Sequence, residues 1–270
     1  MYSIITPTFN REKILISSID SSIFFAGGFR FGDELIIIDD ASTDNTREVI
    51  FSKYENHFEQ KSIQYHLLPT NQGVTFAKNQ GARIASNEWL VFLDSDDQLL
   101  PDARATIEHA IKEFPDTEAF FFRCVDGDLK LMGLDMNDSI TLNLRDYLKH
   151  GTYGECLPVI KKSTFLKYPY DDDLRGFEGL SYLKMLIDGV VTSVIKEPAR
   201  KYSLVGEDRL STQLNLFKRA DKILAGYQRY FLLVKNKVTI SVKLILILKI
   251  LKYKFLSVLS SFLNKTSLFK

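Results

Sequence analysis

Residues 89–97 read Trp89-Leu90-Val91-Phe92-Leu93-Asp94-Ser95-Asp96-Asp97. Five apolar residues in a row, with no alternation, are the signature of a strand buried on both faces. Three carboxylates within the next four residues end it. The same unit recurs upstream. Glu34-Leu35-Ile36-Ile37-Ile38 is a second unbroken run, closed by Asp39-Asp40. Residues 2–6 form a short apolar strand that stops at Pro7, and residues 63–68 form another. Between the strands the period changes. Ile14, Ile16, Ile19 and Ile23 predict a helix over 12–25, stopped by Ala26-Gly27-Gly28. Ser42-Thr43-Asp44 can cap a helix to about Tyr54, and residues 74–85 are helical after the turn Asn71-Gln72-Gly73. This rhythm predicts an α/β fold, with a mostly parallel sheet and helices on both faces. Ligands of such sheets bind beyond the carboxyl ends of the strands, where this sequence places Thr8, Asp39-Asp40 and Asp94–Asp97.

The second half is less regular. Helices are expected over 101–114, 144–150 and 179–188, and strands over 118–123, 157–160 and 190–195, with a loop over 126–138. There is no internal repeat and no Pro/Ser-rich linker, so one core is expected. We divide the chain into a first half at 1–100, a second half of the same domain at 101–215, and a helical tail at 216–270.

Composition is that of a globular protein: 270 residues, 45% hydrophobic and 26% charged. That excludes collagen-like and wholly disordered chains. A net charge of +1 gives no global field for nucleic acid, and no nucleic-acid partner is expected. Two cysteines, Cys124 and Cys156, build no disulfide framework and suit a reducing compartment. Met1 leads straight into Ser3-Ile4-Ile5, with Pro7 and Asn10-Arg11 close behind, so no secretory leader is expected. No run of 18 uncharged apolar residues suggests a membrane span. The charge is unevenly distributed, however. After Asp221 there is no acid and there are 10 Lys+Arg, which leaves 25 basic and 34 acidic residues before it, a net of −9.

Carboxylates crowded at a strand end repel one another, and a hard divalent cation bound through oxygen relieves that repulsion. Mg²⁺ or Mn²⁺ held this way commonly binds phosphate oxygens too. The competing reading is a helix cap with an acidic first turn. Two acidic strand ends on one sheet edge favour the cation.

At this point the residues resemble a family. Ile5-Thr6-Pro7-Thr8-Phe9-Asn10-Arg11, Ile37-Ile38-Asp39-Asp40-Ala41-Ser42-Thr43-Asp44-Asn45-Thr46, Asn71-Gln72-Gly73, Lys78-Asn79-Gln80-Gly81 and Leu93-Asp94-Ser95-Asp96-Asp97 are similar, in order and spacing, to family 2 glycosyltransferases of the GT-A fold. The resemblance covers about the first hundred residues. It implies a Rossmann-like sheet and inverting transfer of a sugar from a nucleoside diphosphate donor, with Mn²⁺ or Mg²⁺. By position, it implies that Pro7, Thr8, Asn10 and Arg11 line the nucleotide pocket. Asp39 would accept a hydrogen bond from uracil, which favours a UDP-sugar. Lys78 would lie near the nucleotide or its phosphates. Asp94 would face the ribose or donor sugar with Ser95 beside it, and Asp96 would bind the metal next to Asp97.

The family's general base usually sits in a Glu-Asp pair before a helix. The matching stretch is Arg175-Gly176-Phe177-Glu178-Gly179-Leu180, so the resemblance points to Glu178. A carboxylate favoured by a helix N-terminus is the alternative, and Asp171-Asp172-Asp173 is the fallback base or a solvated acidic loop. After Glu197-Pro198 the family's metal-completing His position falls on Val205, while Arg209 and Ser211 can contact phosphates. Solvent exposure is the other reading of Arg209. The four histidines form no ligand-spaced cluster, and no P-loop or GxGxxG is present.

In the tail, residues 216–234 predict a helix. Residues 238–263 are dense in Ile, Leu, Val and Phe, with Lys243, Lys249, Lys252 and Lys254 scattered round the helical wheel. Segment 238–270 is expected either to attach to an anionic membrane surface, bringing a lipid-linked acceptor within reach, or to pack on the body or a second subunit. Oligomeric state stays open. The expectation is therefore a glycosyltransferase moving sugar from a UDP-sugar to a glycan or lipid-linked acceptor in surface polysaccharide or lipopolysaccharide synthesis, peripheral on the inner face of the cytoplasmic membrane. The alternatives are a non-catalytic nucleotide-sugar-binding protein and a sugar nucleotidylyltransferase. The latter should carry a Gly-rich basic loop where Pro7-Thr8-Phe9-Asn10 stands.

Overall fold

The computed structural model describes residues 1–24, 28–203, 216–217 and 219–265, with the side chains of 262–265 excepted. Its centre is a nine-stranded sheet. The first four strands are β1 (Tyr2–Thr8), β2 (Glu34–Asp39), β3 (Ile63–Leu67) and β4 (Trp89–Phe92), which run parallel in the order β3-β2-β1-β4. The helices between them are α1 (Leu15–Ile23), α2 (Thr46–Lys53), α3 (Glu55–Glu59) and α4 (Val74–Ile84). The chain winds outward from β1 to β3, then crosses back through α4 to place β4 on the other side of β1. The β1/β4 boundary is therefore the topological switch point, where ligands of such sheets sit.

The remainder is mixed. β5 (Gln98–Leu99), α5 (Ala103–Glu113), β6 (Ala119–Val125), β7 (Ile140–Thr141), α6 (Leu144–His150), β8 (Cys156–Lys161), α7 (Lys162–Lys167), α8 (Gly179–Ile187) and β9 (Thr192–Lys201) follow. β8 enters antiparallel between β4 and β6, β9 runs parallel to β6, and β5 and β7 each pair antiparallel with β9. Two-residue strands carry no period, so the sequence pattern does not show β5 and β7. The same holds for α7, a helix of six residues.

The unbroken apolar runs follow from packing on both sides. Ile4, Leu35, Ile37, Val91 and Phe120 face a core closed by α1, α2 and α5. Their neighbours Ile5, Ile36, Ile38, Phe92 and Phe121 face a second core closed by α4 and α8. Gly81 permits the close approach of α4, since a Cβ there would stand 2.5 Å from the Ile5 side chain. That approach carries Lys78 beneath the switch point.

The tail folds into α9 (Ala220–Val234) and α10 (Ile240–Lys265). Val234 and Leu246 are buried in the second core, and Tyr227 stacks on Tyr253 with ring centroids 5.6 Å apart. No helix among the described residues is long and apolar enough to cross a membrane.

Candidate active site

The strand-end loops hold one another. Asn10 adopts a positive φ of 53° directly after β1. Its amide donates to Ser42 Oγ at 2.8 Å, and its Oδ1 accepts from the Thr43 amide at 2.8 Å. The Arg11 amide donates to Thr46 Oγ1 at 3.0 Å. Asp40 clamps the next loop, its two oxygens each accepting an amide, from Gln72 and Gly73, at 2.7 Å. Gly73, at φ +97°, turns the chain into α4, a conformation that favours glycine.

Asp39, expected to accept a hydrogen bond from uracil, is fully buried, with Oδ1 accepting from the Ser42 amide at 2.7 Å and Oδ2 accepting from the Tyr65 hydroxyl. These bonds fix the carboxylate and shape the Ser42 loop, and each carboxylate oxygen keeps a second lone pair. Burial and the Asp39 carboxylate raise the Tyr65 hydroxyl well above the usual tyrosine range.

At the end of β4 the three carboxylates have three different fates. Asp94 Oδ1 pairs with Lys78 Nζ at 2.7 Å, and Arg200 of β9 stands 4.0 Å away. Burial alone would raise the Asp94 carboxyl; Lys78 and Arg200 overcome that and hold it below the usual range. Lys78 is buried, and burial favours its neutral form. Asp94 and Glu178 outweigh this and keep it protonated. Asp97, expected beside Asp96 as a metal ligand, is instead turned inward. It is 1% exposed, lies 3.1 Å from Arg200 Nη1 and accepts the Ser203 amide at 2.9 Å. Burial pushes its carboxyl up to about 7, against the pull of Arg200. Asp96 carries no hydrogen bond or ion pair among the described residues. It lines a cleft with Gln98, Asp126, Lys201 and Tyr202.

Among the described residues no group of three His, Cys, Asp or Glu could cage a cation. One free carboxylate still fits Mg²⁺ or Mn²⁺ shared with a diphosphate, because Mg²⁺ typically takes one or two carboxylates and fills its shell with phosphate oxygens and water.

A second cleft of about 380 Å³, at the switch point, brings together Pro7, Thr8, Asn10, Arg11 and Ser95 from the sequence expectation. It adds Asn71, Gly73, Arg175 and Arg219. Its volume is in the range of sites that enclose small ligands. The Thr8 hydroxyl is buried and has no hydrogen-bond partner among the described residues. A buried hydroxyl without a partner is costly unless a ligand completes it. Arg209 and Ser211 lie outside the described residues, as does Val205.

Glu178 precedes α8 and makes no side-chain cap to that helix. It makes no hydrogen bond or ion pair among the described residues, and its charge is felt at Lys78, Tyr170 and Arg219. Gly179 explains the missing second acid: a Cβ there would meet Tyr147 Oη at 2.7 Å, and the same hydroxyl donates to the Gly179 carbonyl. The aspartates expected as a fallback are engaged elsewhere. Asp171 pairs with Lys184 at 2.7 Å, Asp172 accepts from Asn79 at 2.6 Å, and Asp173 pairs with Arg229 at 2.8 Å. Sequence reading misses Arg200, Arg175 and Arg219, because each is isolated in its own segment and only the fold gathers them.

A model of Glycosyl transferase family 2 matches residues 3–164. The GalNAc(5)-diNAcBac-PP-undecaprenol beta-1,3-glucosyltransferase of Campylobacter jejuni is 28% identical over 246 residues, covering 88% of this chain and 75% of that protein. Residues 1–349 of S. aureus TarS in complex with UDP-GlcNAc share the fold at a TM-score of 0.68 and 18% identity, over 94% of this chain and 72% of that one. The mannosyltransferase PcManGT of Pyrobaculum calidifontis, in complex with GDP-Man and Mn²⁺, aligns at a TM-score of 0.58 and 18% identity, over 85% of this chain and 64% of that one.

Proposed function

The chain belongs to glycosyl transferase family 2 and is thereby a glycosyltransferase, and from that premise we propose that it moves a hexose from a UDP-sugar to a hydroxyl of a glycan carried on a polyprenyl diphosphate, with inversion at the anomeric carbon. The observation that carries this reading is the switch-point cleft, where the unpartnered Thr8 hydroxyl and Arg11 line a ligand-sized space that ends at Ser95, the neighbour of Asp96. The Campylobacter relative's name supports a glucose donor and a lipid-linked acceptor. The TarS and PcManGT complexes support a nucleotide donor, and the latter a divalent cation. Residues 1–100 would form the donor half and residues 101–215 the acceptor half of one domain.

In this mechanism Thr8, Asn10 and Arg11 line the nucleoside's pocket, and Lys78 fixes Asp94 toward the ribose or sugar. Glu178 takes the proton of the acceptor hydroxyl as its oxygen attacks the anomeric carbon. The bond from that carbon to the diphosphate breaks, and its electron pair leaves on UDP. Asp96 would hold a divalent cation, which would supply countercharge for the departing diphosphate. Incubation with UDP-glucose, a polyprenyl-diphosphate glycan and Mg²⁺ should release UDP only when acceptor is present. If UDP-glucose and the other UDP-hexoses all stay intact while UDP binds, the protein is a binding module.

The tail supplies the membrane part of the proposal. Ile240, Leu244, Leu248, Leu251, Phe255 and Val258 recur every three or four residues along α10, and each is more than half exposed. With Leu246 directed into the body, Lys243 and Lys254 border this stripe on one side and Lys252 on the other, while Lys249 turns back over the Tyr227 ring at 5.2 Å. An apolar stripe between cations fits an anionic bilayer surface, each Lys contributing about 1 kcal/mol. We expect wild type to cosediment with phosphatidylglycerol vesicles. Leu248→Glu with Leu251→Glu spares the inner face and should weaken binding about a hundredfold or more. Unchanged sedimentation of that variant would remove the tail from the membrane and return it to a packing role.

A further inference from the structure

Four cations around this site, Lys78, Arg200, Lys184 and Arg229, each pair with a carboxylate. Arg11, Arg175 and Arg219, all lining the switch-point cleft, have no carboxylate within 4.0 Å among the described residues. Two of them are held side by side, Arg219 Nη2 donating to the Arg175 carbonyl. Burial and the Arg175 charge lower the Arg219 pKa, against the opposing pull of Glu178 and Asp221. Arg219 also stands at the N-cap of α9, whose positive end adds to the field. The buried, unpartnered Thr8 hydroxyl lines the same cleft.

We propose that Arg175 and Arg219 form a binding site for the diphosphate of the nucleotide donor, so that guanidinium groups share with the Asp96-bound cation the neutralisation of the leaving group. The proposal rests on the transferase reading and adds residues to it. Guanidinium forks match phosphate oxygens in geometry and stay charged at any working pH. The division of labour also accounts for a cation site with a single free carboxylate: part of the countercharge is built into the protein.

Calorimetric titration of uridine, UMP and UDP in EDTA separates the protein's contribution from the metal's. Wild type should prefer UDP to uridine without metal. Arg175→Ala with Arg219→Ala should lower UDP affinity at least about tenfold and leave uridine affinity unchanged. Arg175→Lys with Arg219→Lys should keep part of the preference. Wild-type UDP binding that persists undiminished in the alanine pair overturns the arginine site while leaving the transferase intact. Equal loss of uridine and UDP assigns the pair a structural role and overturns it as well. If wild type binds no nucleotide, the transferase reading itself fails, and this site falls with it.

Discussion

Glu178→Gln should lower kcat for sugar transfer roughly 10²- to 10⁴-fold while UDP affinity stays at the wild-type level. The expectation has a structural basis. Among the described residues Glu178 caps nothing and makes no salt bridge, and it lies electrostatically close to the Lys78–Asp94 pair. Glutamine preserves its size and removes only its capacity to accept a proton. The three nearby aspartates cannot substitute without breaking bonds to Lys184, Asn79 and Arg229. Position 179 offers no second acid, because Tyr147 occupies the space. Asp173→Asn is the matched control: it removes a carboxylate that pairs with Arg229 on the exposed surface, and it should leave kcat within about twofold of wild type. Reversed outcomes, with Asp173→Asn inactive and Glu178→Gln active, would move the base to the acidic loop.

The parallel half of the fold is legible in the sequence because each of its central strands is buried on both faces and reads as an apolar run, and each ends in a chemically distinct turn. The alternation of those runs with helical periods is enough to put Pro7, Asp39-Asp40 and Asp94–Asp97 on one edge. Side-chain partners brought from afar are not legible in the same way. Tyr65 lies 26 residues from Asp39 and donates to its Oδ2. Ser203 lies 106 residues from Asp97 and, with Arg200, draws that carboxylate inward. Tyr147 lies 32 residues from Gly179, and its hydroxyl fills the space that a side chain at 179 would need. Of the lysines that scatter on an isolated wheel, Lys243, Lys252 and Lys254 flank an exposed stripe and Lys249 covers Tyr227, which shows only once the buried side of α10 is known. Each of these depends on tertiary contact, which local pattern does not encode.

Asp96→Ala carries the second large effect. Of the carboxylates after β4, it is the one with no partner among the described residues, so its removal should cost little stability. Asp94 and Asp97 are tied to Lys78 and Arg200: losing Asp94 would leave the buried Lys78 unpaired, and losing Asp97 would remove the carboxylate nearest the buried Arg200. If a cation bridges Asp96 and the donor diphosphate, Asp96→Ala should reduce turnover at least about a hundredfold and abolish the dependence of UDP binding on Mg²⁺ or Mn²⁺. Binding that involves the arginines would persist in this variant, so its UDP affinity in EDTA should match wild type. The most direct measurement is therefore the thermal midpoint of wild type and Asp96→Ala with saturating UDP, each with and without Mg²⁺. Wild type should gain roughly 5–10 °C with UDP and Mg²⁺, and Asp96→Ala should respond equally with and without the cation. A wild-type midpoint that no nucleoside diphosphate moves, with or without metal, would contradict the assignment of this sheet edge as a donor site.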